Sequence, residues 1–361
     1  MFVLDSHCDT PSMLLEGIDI GKRQERTQFD FVRAKEGGVD GIFFSVYTPA
    51  SLEGRDAVNH ALKLLSECYL AVSRNAGVAA FAFSPADAFR NRDRGLISVF
   101  LGMENGSPIG NDLSLLRLYY RFGIRYLTLC HSENNGLCDS CSSAGEKWGG
   151  LSPFGMEVIA ECGRLGILTD CSHASDKAFY DMIDCSVLPV VATHSSCRAL
   201  CNHPRNMTDS MIRLLAEKGG VVQINFYPCF LDGGFADSAF SSLNAEFDKW
   251  QEAYRNEPGN IEYRDRYFSI MRRLRDYPAP SFERVIDHIV HAAYVAGPEH
   301  VGTGSDFDGI PVAPEGLRDI SMYPALADGL ARRGFDGKEI EGILGGNFLR
   351  VLGLARQAGQ V

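Results

Sequence analysis

No uninterrupted apolar run in this chain approaches the ~18 residues a membrane-spanning helix needs, so no such helix is expected. Positive charge is in deficit: 35 Lys and Arg stand against 46 Asp and Glu, a formal net charge of −11. Nucleic-acid surfaces are built from clustered Lys and Arg, so that class of partner is excluded. Cysteines are present without a framework. The 11 thiols are odd in number and scattered over strand-like segments (Cys130, Cys171) and helix-like ones (Cys68, Cys162), so reduced, partly buried side chains are expected. Cys138 and Cys141 have the spacing of a zinc or redox pair, but no second pair follows at zinc-ribbon spacing, and a functional role for them is not expected. A strand-like segment from Phe2 leaves no charged and apolar leader before it, and the polar tail from Ala355 to Val361 has no lipid-anchor segment. A cytoplasmic protein without a membrane partner is the expectation. Internal repeats, low-complexity tracts and linkers are also lacking.

What remains is an ordinary globular composition, 45% hydrophobic and 22% charged. Eight apolar segments suit strands buried on both faces of a parallel sheet: 2–8, 41–47 (GIFFSVY), 98–104 (SVFLGME), 125–131 (RYLTLCH), 167–173 (ILTDCSH), 189–195 (PVVATHS), 220–227 (GVVQINFY) and 300–306 (HVGTGSD). Helical patterns lie between them at 57–75, 112–122, 153–165, 175–184, 209–218 and 281–296. Such alternation predicts an α/β fold, a single-domain (β/α)8 TIM-type barrel spanning residues 1–361. Two segments depart from the repeating unit. Residues 78–83 read as an extra short strand in an edge hairpin outside the barrel, and 228–280 is too long for a simple connection. The latter carries polar helical patterns at 243–254 and 263–275, a helical insertion before the last strand and a candidate lid.

The strand ends carry the chemistry. His7 and Asp9, two apart on an extended backbone, point to one side and make a metal half-site. Glu104, His131, His173, His194 and Asp306 stand at the ends of later strands, so 4 of the 9 histidines terminate predicted strands. Chance placement would scatter them over loops and helix faces, where most of the remaining five, His60, His203, His288, His291 and His300, sit. In a closed barrel all these side chains converge on one mouth. Such a set of imidazoles and carboxylates exceeds what one ion requires and suits two metals sharing a carboxylate and a hydroxide, with Glu104 as the natural bridge.

The motifs LDSHCD, GMENG, RYLTLCH, GLSPFG, LTDCSHAS, THSSCRAL, HPRNMTD, INFYPCFL and GTGSDFDGIP occur in this order. With them the sequence resembles, nearly end to end, the membrane (renal-type) dipeptidases of the amidohydrolase superfamily. The resemblance implies a distorted barrel with two zinc ions: His7 and Asp9 on one, His173 and His194 on the other, Glu104 bridging. It further implies that His131 contacts the scissile carbonyl region, that Arg205 holds the substrate carboxylate and that Asp306 handles protons. After the Glu, the animal members have glycines and a histidine; here Asn105, Gly106, Ser107 and Pro108 follow, which bears on the pocket wall and hence on substrate preference.

The expected activity is therefore zinc-dependent hydrolysis of dipeptides by a metal-bridging hydroxide. The rivals are a metal-dependent amidohydrolase acting on N-acyl amino acids and a catalytically silent binding protein on the same fold. Oligomeric state stays open, a homo-oligomer included. Asp308, in the turn leading to Gly309 and Pro311, is expected to be structural.

Overall fold

A computed structural model of the chain describes residues 1–236, 238–257 and 259–359. Eight parallel strands follow one another around a nearly closed barrel: β1 (Leu4–Cys8), β2 (Gly41–Tyr47), β4 (Ile97–Glu104), β5 (Ile124–Thr128), β6 (Leu168–Asp170), β7 (Val191–Ser195), β8 (Val221–Ile224) and β9 (Val301–Thr303). The seam between β9 and β1 is sparse. It is closed past the end of β9, where Cys8 bridges Phe307 in parallel and Asp9 N–H donates to the Phe307 carbonyl at 2.8 Å. The buried Asp5 carboxylate reinforces it by accepting from the Ser305 N–H at 2.8 Å and from the Ser305 hydroxyl.

The ninth strand, β3 (Ala79–Phe81), corrects the expectation of an edge hairpin. It pairs parallel with residues 97–99 of β4, on the edge that β5 takes up only from Leu101 onward. The physical reason is the helix Pro85–Asp93 between them, which returns the chain in the same direction. Helices start where a side chain can take a free backbone N–H: Asp30, Ser84, Asp112, Ser152, Ser175 and Thr208 all do so.

Inward positions alternate along the strands. At the lower end they are apolar, and Leu4, Phe43, Phe100, Tyr126, Leu168, Val191 and Val221 form one buried cluster. Phe348, from the C-terminal helix Asn347–Ala358, plugs the barrel from below and meets the Phe43 ring edge-on at 5.2 Å between centroids. That helix was not among the predicted elements. Between β8 and β9 the insertion forms two long helices, Ser238–Asn256 and Ile261–Arg275. They carry their own apolar cluster, Phe240, Leu243, Phe247, Tyr267, Ile270, Met271 and Leu274, joined by Val312. All 11 cysteines are free thiols, as expected from their spacing, and Cys138 is buried in the loop after β5.

Candidate active site

The upper end of the barrel is polar. Glu104 is the last residue of β4 and is buried, and each of its oxygens faces a different group of side chains. Oε2 lies 3.4 Å from His7 Nε2 and accepts from the Ser45 hydroxyl at 3.0 Å. Oε1 lies 3.2 Å from His173 Nε2, 3.5 Å from His194 Nε2 and 4.0 Å from His131 Nε2. His7 Nε2 is also 3.3 Å from Asp9 Oδ2 and 3.9 Å from Asp306 Oδ1. The seven residues expected at the mouth from their strand-end positions are thus brought together.

Their placement corrects the predicted strand boundaries. Strands β5, β6 and β9 end at Thr128, Asp170 and Thr303, so His131, His173 and Asp306 stand in the loops just beyond. Two of the three turn back over the mouth on left-handed backbone: φ is +69° at His173 and +62° at Asp306, and it is also +70° at Asn105 and +66° at Asp308. Such conformations cost about 1–3 kcal/mol each and gather where function imposes them. Asn105 secures its own by donating to the Thr48 carbonyl at 2.8 Å and accepting from Asn135 at 2.9 Å.

Two glycines leave the room this cluster needs. A Cβ at Gly102 would lie 2.0 Å from the Tyr126 ring, so only glycine lets that ring cross β4 and set its hydroxyl 2.8 Å from His7 Nδ1. One at Gly309 would lie 2.2 Å from Asp9 Oδ2 and 2.5 Å from Asp306 Oδ1.

The donor set fits metal. His7 Nε2, Asp9 Oδ1 and His173 Nδ1 are buried without hydrogen-bond partners, which is costly for a protein that leaves them so. Burial, together with the Arg205 guanidinium and neighbouring imidazoles, holds His173 and His194 well below the ordinary histidine pKa, keeping them neutral as ligands must be. His7 is the opposite case: burial opposes its cation, but the Tyr126 oxygen and the Glu104 and Asp9 carboxylates raise it well above the ordinary value. Three overlapping groups could hold an ion: His7, Glu104 and His194; Glu104, His131 and His173; and His7, Asp9 and Asp306. Nitrogen and carboxylate oxygen in that mix suit zinc.

Membrane dipeptidase (Peptidase family M19) is the family whose model matches, and it does so over residues 1–361. The chain belongs to this family. It is thereby a hydrolase of the metallopeptidase class that acts on peptide bonds. Among curated proteins it is 31% identical to the dipeptidase tcpJ of Claviceps purpurea, over 90% of this chain and 68% of that one. It is 32% identical to an uncharacterized dipeptidase of Schizosaccharomyces pombe, over 97% and 79%. A metallopeptidase from Rhodobacter sphaeroides, solved with a phosphinate mimic of the dipeptide L-Ala-D-Ala, superposes with a TM-score of 0.81 at 25% identity, covering 98% of this chain and 99% of that one.

Around the metal-binding groups of this dipeptidase-family chain, the remaining predicted residues take distinct positions. Arg205 is buried; its two terminal nitrogens donate to the His194 carbonyl at 3.1 Å and the Ser195 hydroxyl at 3.4 Å, both uncharged acceptors, and its Nε has no partner. His131 is partly exposed at the rim, its ring against those of Tyr47 and His173. Asp308 is tied to structure, as expected: it accepts from Thr10 at 2.6 Å and from Gln28 N–H at 2.5 Å.

Sequence reasoning missed the residues that hold the others. Tyr126, Ser45, Asp170, Thr193 and Asn225 are buried and bonded to the side chains just described or to one another. Their signal was available, since all but one lie within strands and Asn225 directly follows one. Inward polar residues in the upper half of a buried parallel strand need a reason to be there.

Proposed function

We propose that this chain is a zinc-dependent dipeptidase that hydrolyses free dipeptides. The observation that carries the proposal is the division of labour at Glu104, whose Oε2 faces His7 while Oε1 faces His173 and His194. That is the disposition a carboxylate needs to serve two ions. His7 and Asp9 would hold one zinc, His173 and His194 the other, with Glu104 between them. When bound, the pair of ions supplies Lewis acidity and a water acidified to near neutrality.

The protein groups do the rest. Arg205 offers a planar, buried guanidinium to the C-terminal carboxylate of the substrate, a match for its bidentate geometry. His131, at the rim beside Glu104, is placed to donate to the peptide carbonyl oxygen. Asp306 is the proton carrier. Burial first, then the charge of Asp9, push its carboxyl up to about 7, so it takes and returns a proton near neutral pH. Its Oδ2 accepts from Asn225 Nδ2 at 2.9 Å, which leaves Oδ1 turned toward His7 and Asp9.

The insertion acts as a lid that limits substrate length. Support comes from its attachment: Arg275 reaches across to the carbonyls of Glu25 and Arg26, in the segment after β1, and to Asp308 at 4.0 Å. Metal analysis of the purified chain alongside a panel of dipeptides, dipeptide amides and N-acyl amino acids tests the proposal. Two zinc ions per chain and selective cleavage of dipeptides are expected. Full activity with one zinc refutes the two-ion site, and preference for N-acyl amino acids refutes the substrate class.

A further inference from the structure

Three neighbouring strand ends carry a chain of hydrogen bonds that leads to one face of the site. Thr128 ends β5 and Asp170 ends β6, and the two are register partners; Asp170 in turn is paired with Val191 of β7, two residues before Thr193. Asp170 is fully buried and receives four donors. Oδ1 accepts the N–H of Thr193 at 2.9 Å and of Ser172 at 3.0 Å. Oδ2 accepts the hydroxyls of Thr128 at 2.6 Å and Thr193 at 2.7 Å. The Thr193 oxygen is also 2.9 Å from His194 Nδ1.

Counting protons settles the direction of these bonds. A carboxylate only accepts, and a threonine hydroxyl has one proton. At 2.7 Å from Asp170 Oδ2, that proton belongs to the Thr193–Asp170 bond; pointing it at His194 would set two oxygen lone-pair regions against each other in a buried site. The Thr193 oxygen can then only accept from His194, so the proton of the neutral imidazole sits on Nδ1 and Nε2 is a bare lone pair. That lone pair faces His173 Nε2 at 3.0 Å and Glu104 Oε1 at 3.5 Å.

We infer that Thr193 and Asp170 are positioning residues that lock His194 in its Nδ1–H tautomer and aim its Nε2 at a metal ion, the latter resting on the assignment of His194 as a zinc ligand. The device is asymmetric. His173, which faces the same oxygen of Glu104, has no partner for its Nδ1, so its ring is held only from the Nε2 side, where the His194 lone pair lies at 3.0 Å and Glu104 Oε1 at 3.2 Å. Partners of this kind commonly contribute 10–100-fold to metal affinity, about the range expected here.

The test uses the metal-free full-length chain, labelled with ¹⁵N and read by long-range ¹H–¹⁵N correlation of the histidine rings, with His194→Gln to assign the signal. His194 of the parent should be protonated at Nδ1. Thr193→Val, which keeps the shape and removes the hydroxyl, should show mixed tautomers and bind zinc about 10–100-fold more weakly in competition with a chelator. Thr193→Ser should restore both. Loss of packing alone would leave the ring tautomer in place. Parent His194 protonated at Nε2 overturns the inference whether or not the Val variant folds, and so does unchanged zinc affinity in a folded Thr193→Val. A parent chain that takes up no zinc refutes the metal assignment instead, and the ring tautomer then reports on the hydrogen-bond chain by itself.

Discussion

The two ends of the barrel are made by the same strands and obey opposite rules. At the lower end, Leu4, Phe43, Phe100, Leu168, Val191 and Val221 are buried, apolar and capped by Phe348. At the upper end the inward positions of those strands are Ser45, Glu104, Asp170, Thr193 and Gln223, equally buried but polar. The lower end gains free energy from its burial, while the upper end is a buried polar network that folding alone does not favour. Tyr126 belongs to both: its ring packs with Phe43 at 5.2 Å between centroids and its hydroxyl bonds His7. The difference teaches that stability and activity are separable along a single strand.

The sharpest break of that comparison is Asp306→Asn. It keeps the shape and the contact with Asn225 but cannot take a proton, so kcat should fall by roughly two to four orders of magnitude. Zinc content by elemental analysis should stay at the parental value, and unfolding should be little changed; activity that falls only in step with zinc would contradict the role. At the other end, Phe43→Ala should do the reverse, lowering unfolding free energy by about 3–5 kcal/mol in denaturant titrations. Its kcat, measured where the variant remains folded, should match the parent.

Arg205→Lys comes next, since a point charge does not reproduce the bidentate fork. The loss in kcat/KM on dipeptides should be about 2–4 kcal/mol, and it should nearly vanish on dipeptide amides, which lack the carboxylate. Equal losses on acid and amide would remove Arg205 from substrate binding.

The smallest effect sharpens the contrast between histidines of the mouth and a histidine that braces structure. His288 is buried, accepts from Cys197 N–H at 3.0 Å through Nδ1 and bonds the Leu231 carbonyl at 3.1 Å through Nε2. Burial lowers its pKa to about 4. A folded-state pKa below the unfolded value means that its stabilisation is complete above about pH 6.5 and is lost as pH falls toward 4. Over that window the parent should lose on the order of 2–3 kcal/mol more than His288→Gln in urea unfolding. Parallel pH profiles for the two would show that His288 does not charge on unfolding.

Much of the site was legible because strand-end residues of a parallel barrel must share one mouth: His7, Asp9, Glu104, His131, His173, His194 and Asp306 all stood where an apolar run stops. Arg205 was different, since no periodicity marks a residue in the loop after β7, and only the resemblance pointed to it. The supporting residues show in the sequence only as polar residues inside buried strands. What Thr193 and Asp170 do there rests on hydrogen bonds between strands 23 residues apart, which no local pattern encodes.

By itself, then, the order of apolar runs and polar ends determined the barrel and most of the residues at its mouth, because period and spacing are local properties of a chain, and the succession of motifs carried the resemblance to the family. Only the tertiary structure decided which oxygen of Glu104 faces which histidine, that β3 joins β4 in parallel, and that the C-terminal helix plugs the barrel. These depend on backbone turns of a few residues, such as the left-handed ones at His173 and Asp306, and on contacts between distant segments that no local pattern encodes.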